Sequence, residues 1–183
     1  MRTTGFSHAL EGGALALALA LELSTAAQAA GKAHEHGVAR LDIAVAANGV
    51  SIELDTPLSN LLGFERAPRT DAERDKVKAA VARLRDGAAL FRIDPAAGCT
   101  LDKVELVSAP LQLGLATPAA DDHGDLGGSY QFNCQAGAKA GFVEVGLFEA
   151  FAGLKRVELQ VAMPRGQLKA TLRRPASRVV LAR

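Results

Sequence analysis

The sequence has no tryptophan, one tyrosine and only 4% aromatic residues, so it offers almost nothing on which nucleobases could stack. It also lacks blocks of like charge: 21 Lys plus Arg stand against 20 Asp plus Glu, scattered along 183 residues. A surface that tracks phosphates needs clustered cations, and nucleic acid is therefore excluded as a partner. No apolar run reaches the roughly 20 residues that a spanning helix requires, which argues against stable membrane insertion. Catalytic signatures are missing too. There is no G-x-S-x-G elbow, no phosphate-cradling glycine loop and no H-E-x-x-H pair, and the expectation is a protein that is not an enzyme.

Histidine is scarce, with four in the chain, and cysteine scarcer, with two. Arg2 is followed by the Ala/Leu-rich "ALALALALEL" and by small residues ending in Ala27-Gln28-Ala29. A basic start, a short apolar stretch and an A-x-A site predict a secretory signal peptide over residues 1–29 and one mature domain over residues 30–183. Export puts Cys99 and Cys134 in an oxidising compartment, where pairing is favoured. Two thiolates on a metal would lack the close C-x-x-C spacing common in zinc sites. The expected disulfide closes a loop of about 36 residues, worth ~3–4 kcal/mol in the chain-entropy model.

Most of the mature chain alternates with period two. Leu41, Ile43 and Val45 share one face, and Val50, Ile52 and Leu54 repeat the pattern after Asn48-Gly49. A type I′ turn on Asn48-Gly49 predicts a hairpin with Val45 opposite Ile52 and Ile43 opposite Leu54. Further strands are expected over Cys99–Val107, with a bulge near Asp102, and over residues 129–134, 142–147, 156–163, 167–173 and 179–181. Residues 148–154 read as a single helical turn. Thr70 and Glu73 form a capping box, Val77, Ala80, Val81 and Leu84 one apolar stripe, and Gly87 a helix stop. Together these predict an α+β domain: a mainly antiparallel sheet of about six to eight strands with one long helix packed on it. Residues 108–129, rich in Pro, Gly and Asp, form a long loop without a pattern of its own.

Two clusters could hold a metal. In His34-Glu35-His36 the imidazoles stand at i and i+2, so an extended chain, continuing the first strand backwards, would place both on its wet face. In Asp121-Asp122-His123-Gly124-Asp125 an imidazole stands among carboxylates. Imidazole with carboxylate suits zinc, and copper or nickel is chemically possible. On spacing alone, an H-x-H pair near a terminus reads more readily as exposed polar residues than as a metal site. A different class of function, a non-metal interaction module in the envelope, would use Leu61, Leu62 and Phe64 as its contact group.

The stretches "AHEHGVARLDIAV", "LSNLLGFERAPRTDAE", "LFEAFAGLKRVELQV" and "PRGQLKATL", with the spaced cysteines, resemble the zinc-regulated, ZrgA-type periplasmic proteins in order along the whole mature chain. The resemblance implies a Gram-negative exported protein that binds zinc and supports its acquisition, with a zinc transport component as a partner. It implies His34 and His36 as first ligands, matching the family's H-E-H-G start. His123 and one of Asp121, Asp122 or Asp125 would complete the shell, with Glu35 behind them. Two departures stand out. The loop before the second cysteine carries only "DDHGD" where relatives have a His-rich run, and Arg66 stands where they commonly read G-F-E-H-A-P. Arginine keeps its proton and cannot ligate zinc.

Overall fold

The alternation read above builds β1 (Val38–Val45) and β2 (Gly49–Pro57), an antiparallel pair whose inward side chains are Leu41, Ile43, Val45, Val50, Ile52 and Leu54. The computed structural model describes residues 35–114 and 124–181. The proposed leader lies outside the described residues.

The hairpin's register differs from expectation by two residues: Val45 faces Val50 and Ile43 faces Ile52. Neither Asn48 nor Gly49 has positive φ, so the turn is not type I′. The Ala46 N–H donates to the Gly49 carbonyl at 2.8 Å, which moves the turn to Ala47 and Asn48. Gly49 is drawn into the ladder with β5 (Asp125–Cys134), where it pairs with Asn133, and the Asn48 carbonyl accepts the Cys134 N–H at 2.9 Å. A shift of two residues keeps every side chain on its own face, so the burial pattern survives.

Among the described residues, nine strands form two sheets. The six-stranded sheet runs β4-β5-β2-β1-β7-β8, with β4 at Cys99–Val107, β7 at Arg156–Met163 and β8 at Gly166–Arg173. All its neighbours are antiparallel except β1 and β7, which are parallel and in register from Val38 with Arg156. The ladder between β4 and β5 slips between Leu101 and Lys103, which is the bulge expected at Asp102. A three-stranded sheet, β3-β6-β9, comprises Phe91–Ile93, Phe142–Val145 and Arg178–Val180. A strand reading cannot tell one sheet from two, and this division is the main addition to the expected fold.

The long helix is α2 (Asp71–Arg85), opened by the expected Thr70–Glu73 capping box and buried through Ala80 and Leu84. Among the described residues three short α-helices join it: α1 (Leu58–Leu62), α3 (Gly87–Leu90) and α4 (Leu147–Ala150). Gly87 does not stop α2 by a left-handed turn. It opens α3, and a β-carbon there would fall 2.7 Å from Tyr130 Cδ1, so close packing and not backbone freedom requires glycine. The core lies on one face of the large sheet, where Phe91 of β3 meets Tyr130 of β5 edge-on at 4.8 Å between centroids. The opposite face, carrying Asp42, Ala44, Glu53 and Gln160, is polar and largely open to solvent. No helix among the described residues is long and apolar enough to cross a membrane.

Candidate metal centre

Of the six metal ligands expected from the sequence, His36 and Asp125 are described; His34, Asp121, Asp122 and His123 lie outside the described residues. The first strand does not extend back to the histidines. Val38 N–H donates to the Glu35 carbonyl at 3.1 Å, closing a turn through His36 and Gly37, and Gly37 has φ +85°. A side chain at position 37 would also press on Lys155, so glycine is needed twice over. The reason for the turn is the parallel neighbour. The Gly37 carbonyl accepts both the Lys155 and the Arg156 N–H, at 2.8 and 2.9 Å, and the chain must bend to present it.

The turn is held from below by α1. Asn60, only 4% exposed, accepts the Gly37 N–H on Oδ1 at 2.5 Å and donates through Nδ2 to the Val38 carbonyl at 2.8 Å and to Thr56 Oγ1 at 3.0 Å. Glu35 pairs with Arg156 at 2.6 Å. His36 is left standing outward, 74% exposed, with Nε2 3.2 Å from Glu65 Oε1. Glu65 returns to this position because α1 ends at Gly63 in the left-handed conformation, and its Oε1 also accepts from Ser59 Oγ at 2.7 Å.

Gly124 and Asp125, the described end of the acidic cluster, adjoin the stretch from Leu58 to Glu65. The Gly124 carbonyl accepts the Leu58 N–H at 2.7 Å, and a β-carbon on Gly124 would run into the Glu65 carbonyl oxygen. Asp125 opens β5 opposite Pro57, and its carbonyl accepts Ser108 Oγ at 2.7 Å. Only the end of the stretch read as a loop is strand, since β5 begins at Asp125. No three His, Cys, Asp or Glu side chains come together among the described residues.

Glu65 and Asn60 were not singled out in the sequence. Both lie in "LSNLLGFER", read there for its apolar residues and for the family resemblance, and neither sits in a periodic or metal-spaced pattern. Those apolar residues turn inward: Leu62 is core, and Leu61 and Phe64 pack against it. An envelope-interaction module would lose its contact group to the protein's own interior.

Arg66 has a structural role. Its guanidinium forks onto Glu73 at 3.0 and 2.7 Å and lies 5.1 Å from the Phe64 ring centroid. The Arg66 hydrogen bonds, with the Arg69 and Thr70 N–H groups, pull the Glu73 carboxyl from the ordinary 4.5 down to about 2. A folded-state value below the unfolded one means stability that is complete above about 4.5 and lost as the pH falls towards 2. Glu73→Gln is therefore expected to flatten the acid limb of stability against pH in that window. An unchanged limb in urea titrations would refute the assignment.

Cys99 and Cys134 form a disulfide across β4 and β5. No match is found among curated proteins. The family model described as "ZrgA family zinc uptake protein" matches residues 33–181, nearly all of the chain beyond the expected leader. The chain belongs to the ZrgA family of zinc uptake proteins.

Proposed function

We propose that this chain is a periplasmic, non-enzymatic zinc-binding accessory protein of a Gram-negative cell, made with a leader over residues 1–29 and acting as a single domain over residues 30–183. It would hold zinc for acquisition or homeostasis and pass it to a transport component. Family membership supports the link to zinc uptake, and the disulfide suits an oxidising compartment.

One observation carries the reading furthest. The two histidine-bearing segments, far apart in sequence, are both fastened to residues 58–65: Gly37 to Asn60, and Gly124 to Leu58. His36 precedes the first anchor and His123 the second by one residue each. That the described ends of both clusters share one short stretch supports a reading in which they serve one ion. His34 and His36 are the first ligands; His123 with one of Asp121, Asp122 or Asp125 completes the shell. Zinc needs neutral imidazoles, so affinity should decline as the pH falls through the range where free imidazole protonates, about 6.5.

Calorimetric titration of the mature protein with zinc tests this. The wild type is expected to bind, and His34→Ala/His36→Ala to lose most of the heat. Indistinguishable heats from the two proteins would remove the proposed site.

A further inference from the structure

We infer that Glu65 supplies the carboxylate of this same site, in the place given above to one of Asp121, Asp122 or Asp125, with Ser59 as the residue that positions it; the inference rests on the zinc-binding reading above. The first argument is geometric. Zinc bonds imidazole nitrogen and carboxylate oxygen at about 2.0–2.2 Å, so two ligands of a tetrahedron stand roughly 3.3–3.5 Å apart. His36 Nε2 and Glu65 Oε1 are 3.2 Å apart, nearly the length of one such edge. Their separation needs only slight widening to admit the ion.

The second argument is competition. A carboxylate held by a guanidinium or ammonium must give up that partner before it can ligate. Glu35 is held by Arg156 and Glu73 by Arg66. Glu65 has no Lys or Arg partner among the described residues. Its neighbour His36 offers an exposed pair of the kind worth only about 0–1 kcal/mol, which a divalent ion readily displaces.

The third argument is orientation. Ser59 Oγ donates to Oε1, and an oxygen with two lone pairs can accept that bond and still face a metal. Ser59 and Glu65 are joined through the Gly63 cap, whose N–H donates to the Ser59 carbonyl at 2.9 Å, so the carboxylate is held by a closed turn. Glu65 is 37% and His36 74% exposed, which leaves the outer side of the pair open for an incoming ion.

The test is zinc titration of the mature protein as wild type, Glu65→Gln, Ser59→Ala and Glu35→Gln, with metal-free thermal melts as folding controls. Glu65→Gln is expected to weaken zinc binding by about tenfold or more, Ser59→Ala by less, and Glu35→Gln to match the wild type. If the wild type binds, the double histidine variant does not, and Glu65→Gln binds like the wild type, then Glu65 is not a ligand while the zinc-binding reading stands. A wild type that takes up no zinc defeats that reading itself. Should Glu65→Gln fail to fold, Ser59→Ala decides: weaker zinc binding with an unchanged metal-free melt is expected, and wild-type affinity would overturn the assignment.

Discussion

Replacing Asn60 by alanine is expected to lower the protein's stability by about 2–6 kcal/mol, from two buried backbone groups left short of partners at about 1–3 kcal/mol each. The groups are the Gly37 N–H, bonded at 2.5 Å, and the Val38 carbonyl, bonded at 2.8 Å. Both are buried, so water does not replace the lost amide. Thr56 Oγ1, at 3.0 Å, loses a donor as well. Asn60→Asp should fare little better, because a carboxylate can accept from Gly37 but has no hydrogen to offer Val38. Urea unfolding of the metal-free mature protein measures this, and a loss below about 0.5 kcal/mol, the usual effect of a surface change, would contradict it. The functional consequence runs the same way. Asn60 fixes the turn from which His36 projects, so loosening it should also weaken zinc binding.

What could be read in the sequence was whatever depends on neighbours close along the chain. The capping box of Thr70 and Glu73, the alternation of β1 and β2, the bulge at Asp102 and the Arg156–Met163 strand all appear where expected. Each is dictated by local periodicity or capping chemistry, and each survived assembly. The failures share a cause. The Asn48-Gly49 turn obeyed its third strand and not its own preference, because Asn48 and Gly49 also serve the ladder to β5. His36 left the strand because Gly37 must present its carbonyl to β7, a partner more than a hundred residues away. Gly87 looked like a helix stop but is a contact surface for Tyr130.

The candidate site was half visible for the same reason. Two histidine clusters could be seen, since H-x-H and D-D-H-G-D are spacing patterns. That both are fastened to one short stretch could not, because that stretch is defined by a buried asparagine and a left-handed glycine cap. Arg66 shows the converse. Counted from the sequence it is only a missing histidine, whereas in the fold it clamps Glu73 at the start of α2 and lies against Phe64.

Removing the disulfide, as Cys99→Ser/Cys134→Ser, is expected to cost ~3–4 kcal/mol, the chain-entropy value for a loop of about 36 residues. The location argues for the full effect. Cys99 opens β4, a mostly exposed strand that among the described residues pairs only with β5, and the bridge fastens its first residue directly opposite Cys134. With the bridge gone, β4 should be the first strand to open, and hydrogen exchange should speed there before it does in β1 or β2. Zinc affinity should change much less than stability while the protein stays folded. The Gly124 end of the connecting segment is fixed independently, by the Leu58 N–H and by its contact with Glu65. Guanidinium unfolding of the wild type with and without reductant, beside the double variant, checks both halves. Reduced wild type and variant should coincide, about 3–4 kcal/mol below the oxidised protein. A loss under about 1 kcal/mol would mean that the unfolded chain is already compact enough for the cross-link to remove little entropy.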